Sequence, residues 1–576
     1  MGLSGGQLVV EMLKAYGVRY LFGVPGDTSL PFYDALGQAQ AQGEIIHVLA
    51  HDERSATYMA DVYARVSSRP GVTEAPSGAG ATYLAAALAE PYASSIPVIA
   101  LTSDTPLSAK DRNVLTALDQ PALFEPITKW RTRVERTDQI PDAMRQAFRI
   151  ATSGRPGTAQ ITLPMDILAE KVSAPSLHTD EVCRTYPAYR TRPDPTLVER
   201  AADLLQQARR PFIVAGGGVV ISGAWAELTA LAEALGAPVG TSICGKGAIA
   251  EDHPLSTGVI GDNGGRPYAN ALLQAADLIL YIGCKTDSVT TENWKLPPRT
   301  TTQTIVHLDV DPTEIGRNYP TAVGLVGDAR LGLADLLHAV RARGLVPRPN
   351  PLAQCTADIE AFWAEFEAKA SAMTRPIKPH RVIHTLARLL PRHSLIVADA
   401  GTPTPFCAAY LRSQAGRQVI IPRGYGGLGY ALPGVVGAKL AQPEAVVVGL
   451  MGDGSFGMSV GEMETIARLR LPVTLIQFNN ACFGWIKALQ HFFYEGRCFS
   501  VDFGAETDYA AIARGFGLCG VQVEDPQDVE PVLRQALGAG VPTFVDIRTE
   551  CEATEVPPVA RWQKARQLQR KEKGDA

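Results

Sequence analysis

The chain has 576 residues, of which 46% are hydrophobic and 20% charged, and its formal net charge is −5. This length favours three or four domains that each bury a core, and the charge gives no reason to expect nucleic acid or a membrane surface as a partner. The start, MGLSGGQLVVEMLKAYG, predicts a capped helix rather than a secretory signal, and no apolar stretch has the length of a membrane span. Nine scattered cysteines indicate reduced thiols in a cytoplasmic protein.

Three segments of alternating strand-like runs and helical periods follow one another along the chain. They cover residues 1–172, 195–345 and 376–550, and polar stretches that contain several prolines separate them. Such alternation predicts parallel sheets covered by helices. We therefore expect an α/β protein with three doubly wound parallel-sheet domains. The tail, residues 551–576, has a basic end that predicts a surface helix or a frayed terminus.

An acidic residue stands where the first segment passes from a strand to a helix. The apolar run 45–50 precedes Glu53, and small or apolar residues at helical spacing, such as Ala56 and Ala60, follow it. A carboxyl group at this junction is either a helix cap or a desolvated acid that holds a proton near neutral pH. Composition alone leaves both alternatives open.

The third segment carries the most informative pattern. Gly452-Asp453-Gly454-Ser455 follows the apolar run 446–451, and Asn479-Asn480 follows the run 473–478. The glycines let backbone N–H groups approach a diphosphate, and the aspartate supplies a hard oxygen ligand for a divalent cation. The ends of two parallel strands in a doubly wound sheet are where such sheets bind ligands. We therefore expect the aspartate and the second asparagine to share one site.

The stretch between these two runs predicts a helix. Ser459 and Glu462 have the spacing of a capping box, and Met463, Ile466 and Ala467 supply an apolar face. Two unrelated turns would explain either the GDG or the NN pattern alone. The two patterns at this distance, each after a strand, indicate a single binding site.

These features resemble the thiamine-diphosphate (ThDP) enzyme superfamily, specifically its acetolactate synthase-like branch, from about Gly6 to Thr549. The resemblance implies a pyrimidine-binding domain, a central domain and a diphosphate-binding domain, in that order. The run HDERSATYMADVYAR is similar to the family's H-E-x-x-A-x-x-x-A-x-x-Y-A-R pattern, which places the catalytic acid at Glu53. In the family this acid bonds N1′ of the aminopyrimidine of ThDP.

The resemblance also implies how the coenzyme is held. Asp453, Asn480 and the backbone carbonyl of Cys482 would bind Mg²⁺, since a thiol is a poor ligand for this ion. Leu428 falls on the position of the side chain that bends ThDP, and Gly426 on that of the carbonyl that accepts from its amino group. The cofactor-binding residues implied are Gly401, Thr402, Gly426, Leu428, Gly452, Asp453, Gly454, Ser455, Asn480 and Gly484.

The substrate side departs from the synthase pattern in several places. Gly23-Val24-Pro25-Gly26-Asp27 resembles the family's first glycine turn, which faces the reacting carbon from the partner chain. Asp27 stands where synthases typically have glycine and simple 2-keto acid decarboxylases have aspartate, although the decarboxylases' His-His pair is not present. Asp27 is a proton relay, a polar substrate contact or a plain turn residue. Thr116 lies about where synthases carry a glutamine, and Thr402-Pro403 replaces their Gln-His or Ser-His pair.

The central segment leaves a third cofactor open. Residues 305–316 and 327–329 closely resemble the region that binds FAD in biosynthetic acetolactate synthases. The F-D-D-R run that accompanies FAD there is replaced by Lys285-Thr286-Asp287-Ser288, and Gly216-Gly217-Gly218 is only a weak dinucleotide pattern.

The resemblance implies a ThDP- and Mg²⁺-dependent carboligase. It would decarboxylate a 2-keto acid such as pyruvate and transfer the enamine to a second carbonyl acceptor. The alternatives are a 2-keto acid decarboxylase or a 2-hydroxyacyl-CoA lyase, and, from another class, a non-catalytic ThDP- or nucleotide-binding regulatory protein. Glu53 together with Asp453 and Asn480 argues against the last. Because the family places the catalytic acid and the GDG loop on different chains, we expect a homodimer or homotetramer with active sites at the interface.

Overall fold

The computed structural model describes residues 2–173, 176–504 and 507–572. The strands are β1 Leu3–Ser4, β2 Tyr20–Gly23, β3 Ile46–Leu49, β4 Gly71–Ala75, β5 Val98–Asp104, β6 Trp130–Arg133, β7 Ala159–Pro164, β8 Lys171–Val172, β9 Pro211–Ala215, β10 Val239–Thr241, β11 Ser256–Val259, β12 Leu278–Ile282, β13 Thr304–Asp309, β14 Val323–Val326, β15 Leu395–Ala398, β16 Val419–Ile420, β17 Val447–Gly452, β18 Val473–Asn479, β19 Cys519–Val523 and β20 Thr543–Arg548. The helices are α1 Gly5–Ala15, α2 Leu30–Ala41, α3 Glu53–Ser67, α4 Ala79–Ser94, α5 Gln120–Phe124, α6 Ile140–Thr152, α7 Met165–Ala169, α8 Pro195–Gln207, α9 Gly217–Ser222, α10 Trp225–Leu235, α11 Pro267–Ala275, α12 Ala329–Ala342, α13 Thr356–Ser371, α14 Pro379–Leu389, α15 Pro403–Tyr410, α16 Ala431–Ala441, α17 Asp453–Ser459, α18 Glu462–Arg468, α19 Gly484–Phe493, α20 Tyr509–Gly515, α21 Val529–Gly538 and α22 Ala560–Glu572.

Three six-stranded sheets confirm the predicted fold class. Their strand orders are β3-β2-β4-β5-β7-β6, β11-β10-β9-β12-β13-β14 and β16-β15-β17-β18-β20-β19. The pairs within each sheet are parallel. In each order the chain starts inside the sheet and winds outward in both directions, which is the doubly wound arrangement. Central strands such as β5 are buried along their whole length, as expected where helices cover both faces.

The chain divides into two compact units. The first contains the residues up to Tyr189 together with Pro422–Glu444 and Ser459–Leu471. Its sheet is the one formed by β2 to β7. Helix α16 packs closely on α3 in the same unit, because the backbone of Met59 occupies the space that a Cβ on Gly437 would need.

The second unit contains Arg190–Ile421, Ala445–Met458 and the residues from Pro472 onward, and it holds the other two sheets. Its last helix, α22, is anchored by Trp562, which is fully buried with its ring centroid 4.3 Å from that of Trp485. Residues 560–572 of the tail therefore form a helix that packs through Trp562. None of the helices within the described residues is long and apolar enough to cross a membrane.

The predicted capping box is wrong. Ser459 is the last residue of α17, and α18 begins at Glu462 after Gly461, which makes no side-chain cap. The carboxylate of Glu462 instead accepts a hydrogen bond from the backbone N–H of His51 at 2.9 Å. A long-range contact has replaced the local one that the sequence spacing suggested.

Candidate active site

Two neighbouring strands end at the residues predicted to bind the metal. Strands β17 and β18 pair in parallel, with Gly452 opposite Phe478. Asp453 follows β17 directly as the first residue of α17, and Asn480 follows β18 directly. Both residues therefore stand at the carboxyl edge of the same sheet, as the sequence predicted.

The carboxylate of Asp453 has the environment of a metal ligand. The side chain is 3% exposed, and its Oδ1 accepts a hydrogen bond from the N–H of Gly454 at 2.8 Å. Its Oδ2 is buried and has no hydrogen-bond partner among the described residues. Burial raises the pKa of Asp453 to about 7. A buried, unpartnered carboxylate oxygen is costly, and a divalent cation bound to it would remove that cost.

Asn480 is held by a residue that the sequence pattern did not indicate. Its Nδ2 donates to Oε2 of Glu552 at 3.0 Å, and its Oδ1 accepts from the thiol of Cys482 at 3.3 Å. The hydroxyl of Thr402 donates to the other oxygen of Glu552. Glu552 lies four residues beyond β20, the strand beside β18, so its contact with the site depends on strand order rather than on sequence spacing.

Glycines leave the space that this arrangement requires. A Cβ on Gly484, at the start of α19, would lie 1.8 Å from Oε2 of Glu552 and 2.7 Å from Nδ2 of Asn480. A Cβ on Gly454 would lie 2.5 Å from the ring of Phe483. Gly401 has a φ of +111°, a backbone conformation that side-chain-bearing residues rarely adopt.

The charges and ligand types at this sheet edge fit Mg²⁺ with a diphosphate. Burial raises the pKa of Glu552, whose charge also raises that of Asp453. A divalent cation between the strand ends would compensate such buried carboxyl groups. The backbone carbonyl of Cys482 accepts from the N–H of Gly484 at 2.9 Å, which leaves its oxygen a second lone pair for the metal contact that the resemblance implies. Ser455, two residues after Asp453, is buried in α17.

In the first unit, the structure decides between the two alternatives for Glu53. The cap of α3 is Asp52, whose Oδ1 accepts from the N–H of Arg54 at 2.7 Å. Glu53 is the first helical residue and is 8% exposed, and a Cβ on Gly80 would lie 2.9 Å from its Oε1. Burial raises the pKa of Glu53. The helix-cap alternative is therefore wrong, and the environment is that of a desolvated acid.

The loop predicted to bend the coenzyme is fixed by a buried carboxylate. Glu90 accepts hydrogen bonds from the N–H groups of Gly424, Tyr425 and Gly426 at 2.9, 2.7 and 2.9 Å. Gly426 has a φ of +84°, which requires glycine. Leu428 follows as a half-buried side chain in the same unit. The loop is thus held through its donors, which leaves its carbonyl groups for other partners.

The first glycine turn and the neighbouring loops are joined by hydroxyl groups. Asp27 begins a short 3₁₀ helix, Asp27–Ser29, and is exposed. The hydroxyl of Thr28 lies 2.8 Å from that of Ser103 and accepts from the N–H of Ser77 at 3.1 Å. The hydroxyl of Ser77 lies 2.7 Å from that of Thr116. Thr116 therefore reaches the loop that follows β4, close to the glycine turn.

The glycines of the central segment have a packing role. A Cβ on Gly216 would lie 2.1 Å from the carbonyl oxygen of Gly283, and one on Gly218 would lie 2.7 Å from its Cα. These two glycines are required where α9 passes the end of β12. They give no separate support to flavin binding.

Comparison with known proteins agrees with this geometry. Family models match all three parts of the chain: the thiamine pyrophosphate enzyme N-terminal TPP binding domain at residues 3–123, the central domain at 198–336 and the C-terminal TPP binding domain at 399–547. A probable acetolactate synthase large subunit of Methanocaldococcus jannaschii is 34% identical over 97% of this chain and 94% of its own length. The acetolactate synthase isozyme 3 large subunit of Escherichia coli K12 is 32% identical over 93% and 92%.

The three matched domains define the class of this protein as a coenzyme-binding α/β enzyme. The chain belongs to the thiamine pyrophosphate enzyme family and is a ThDP-dependent enzyme of the acetolactate synthase type.

Proposed function

We propose that the protein is a Mg²⁺-dependent carboligase that decarboxylates a pyruvate-like 2-keto acid and joins the remaining fragment to a second carbonyl compound. The observation that carries this proposal is the buried, unpartnered Oδ2 of Asp453 beside Asn480 at the ends of β17 and β18. The names of the relatives supply the substrate class, since they are acetolactate synthase subunits.

The residues of the chain have distinct tasks in this proposal. Asp453, Asn480 and the Cys482 carbonyl would hold Mg²⁺, and the N–H groups at the starts of α17 and α19 would donate to the diphosphate. Bound ThDP supplies an electron sink for the decarboxylation. Glu53 holds a proton at its carboxyl group, for which its raised pKa suits it. Leu428 would support the bound coenzyme, in the role that the family resemblance implies.

We further propose that the active unit is at least a dimer. This proposal rests on the family resemblance, which implies that Glu53 of one subunit serves the coenzyme held by Asp453 of the other. The closed environment made by two subunits would exclude water and strengthen the hydrogen bonds of both residues.

Product analysis tests this function. The purified protein with ThDP, Mg²⁺ and pyruvate should form acetolactate, whereas release of acetaldehyde alone would show a decarboxylase without ligation. No turnover of pyruvate, with cleavage of a 2-hydroxyacyl-CoA, would show a lyase instead. Asp453→Asn should lose Mg²⁺-dependent activity in each case, and Glu181→Gln, at an exposed position, should retain it.

FAD is tested separately. Asp309 and the residues around it, at the end of β13, are the chain's match to the flavin region of biosynthetic synthases. A flavin absorption spectrum in the purified protein would support FAD at this place, and a spectrum without flavin after reconstitution with FAD would rule it out.

A further inference from the structure

Glu74 is a further buried carboxyl group of the first unit. Glu74 is in the middle of the sheet on β4 and is 1% exposed. Its Oε2 accepts a hydrogen bond from the hydroxyl of Tyr33 at 2.7 Å. Its Oε1 is buried and has no hydrogen-bond partner among the described residues. A native protein rarely leaves such an oxygen unused.

The contacts continue from Tyr33 toward the outside of the domain. Nε2 of His47, on β3, lies 3.1 Å from the hydroxyl oxygen of Tyr33. His47 is half-buried, and burial lowers its pKa to about 4, which keeps the ring neutral at neutral pH. Because Tyr33 gives its proton to Glu74, the Tyr33 oxygen is free to accept from His47. Each hydrogen bond therefore donates in the same direction, from His47 to Tyr33 and from Tyr33 to Glu74.

The hydrogen-bonded side chains of Tyr33 and Glu74 lie next to Gly23, at the start of the glycine turn. A Cβ on Gly23 would lie 3.1 Å from Oε2 of Glu74 and 3.1 Å from the hydroxyl oxygen of Tyr33. Gly23 pairs with Glu74 across β2 and β4. The absence of a side chain at Gly23 thus leaves room for the Tyr33–Glu74 hydrogen bond at the edge where the turn begins.

Glu74 also interacts with Glu53. The pKa of Glu74 is raised to about 8, chiefly by burial and in part by the charge of Glu53, although the hydroxyl groups of Tyr33 and Ser29 act to lower it. The group of like charge that faces Glu74 is therefore Glu53 on α3. The hydrogen-bonded neighbours on its other side are Tyr33 on α2 and, beyond it, His47 on β3. Arg468, on α18, is the charged group that acts on His47. Burial therefore favours the protonated form of Glu74 at neutral pH, and a negative charge on Glu53 favours it as well.

We propose that His47, Tyr33 and Glu74 form a proton relay that supplies and removes the proton exchanged by Glu53. In one passage, Nδ1 of His47 takes up a proton and Nε2 gives one to Tyr33. Tyr33 gives its hydroxyl proton to Oε2 of Glu74, and the proton on Oε1 of Glu74 is released toward the carboxylate of Glu53. One proton enters at His47 and one leaves at Glu74, so the three relay residues carry the same net charge before and after the transfer.

The inference rests on the proposed function only in that Glu53 exchanges protons with the coenzyme. Glu74 acts through Glu53 and is a positioning residue for the proton rather than a catalytic one. The relay also gives Glu74 a task that packing does not require, since an apolar side chain of similar size would fill the same place without an unpartnered oxygen.

An infrared titration tests the relay without any turnover. The full-length protein should show the C=O stretch of a protonated, buried carboxylic acid that disappears with a midpoint near pH 8. Glu74→Gln should remove this band. Tyr33→Phe should shift its midpoint to higher pH, because the Tyr33 hydrogen bond favours the ionised form. A band that is unchanged in Glu74→Gln, or no such band in the unmodified protein, would overturn the proposal.

Exchange of the C2 hydrogen of bound ThDP with D₂O, followed against pH, tests the connection to Glu53. Glu74→Gln and Tyr33→Phe should each slow the exchange by about 10²-fold, the lower end for loss of a proton-transfer group, and should change its pH profile. Tyr20→Phe, on β2 and outside the relay, is the matched control and should behave as the unmodified protein. Exchange at the unmodified rate and with the unmodified pH profile in both relay variants would refute the relay. If the unmodified protein shows no exchange, the proposed function fails, and the infrared titration alone decides whether Glu74 is the buried acid described here.

Discussion

Replacing Glu74 by Gln should change how the stability of the protein depends on pH. Burial raises the pKa of Glu74 from 4.5 to about 8 in the folded protein. The folded protein therefore holds this proton more tightly than the unfolded chain does. The stability that results is fully present below pH 4.5 and is lost as the pH rises through about 8. The full difference corresponds to about 5 kcal/mol, of which about 3 to 4 kcal/mol falls between pH 5 and pH 8.

Urea denaturation of the full-length protein without coenzyme, at several pH values from 5 to 9, provides the assay. The unmodified protein should lose stability relative to Glu74→Gln over this range, because glutamine carries no proton to lose. Glu181→Gln, at an exposed position, should follow the unmodified protein. Parallel curves for Glu74→Gln and the unmodified protein would refute the conclusion that Glu74 is protonated at neutral pH.

Three further changes test the metal-binding half of the site and the subunit arrangement. Glu552→Gln should weaken Mg²⁺-dependent binding of ThDP by about 10- to 100-fold, because the carboxylate orients the asparagine proposed to bind the metal. Glu550 pairs with a lysine instead, so Glu550→Gln should not weaken this binding. Equal effects of the two changes in an Mg²⁺ titration would contradict the role of Glu552. Gly484→Ala should abolish ThDP binding, measured by calorimetry, since its Cβ would lie 1.8 Å from a carboxylate oxygen. Mixing inactive Glu53→Gln with inactive Asp453→Asn should restore activity in mixed dimers, and no recovery after subunit exchange would place both residues on one chain.

The elements next to the coenzyme could be predicted because their patterns are local. Residues 446–451 are a short apolar run and residues 473–478 a mostly apolar one, and each is followed by residues whose chemistry suits a diphosphate or a metal. The structure shows adjacent parallel strands at both places. Glu53 could be located for the same reason, since an apolar run precedes it and a helix follows it. Choosing between an acid and a cap required the structure, because it depends on whether Asp52 supplies the cap.

The remaining parts of the site depend on contacts between distant segments. Glu552 meets Asn480 only because β20 lies beside β18. Glu74 and Tyr33 are 41 positions apart in the chain and meet through the packing of α2 on the sheet. The failed capping box is a similar case, since Glu462 satisfies the backbone of His51 rather than its own helix. Sequence spacing carries no signal for such pairs.

The central claim is that Glu53 is the acid that exchanges a proton with ThDP, and hydrogen–deuterium exchange at C2 of the bound coenzyme tests it most directly. Glu53→Gln should bind ThDP and Mg²⁺ yet slow the exchange by about 10²- to 10⁴-fold. Glu181→Gln, at an exposed position, is the control, and its exchange should be unchanged. Exchange in Glu53→Gln at the rate of the unmodified protein would contradict the claim.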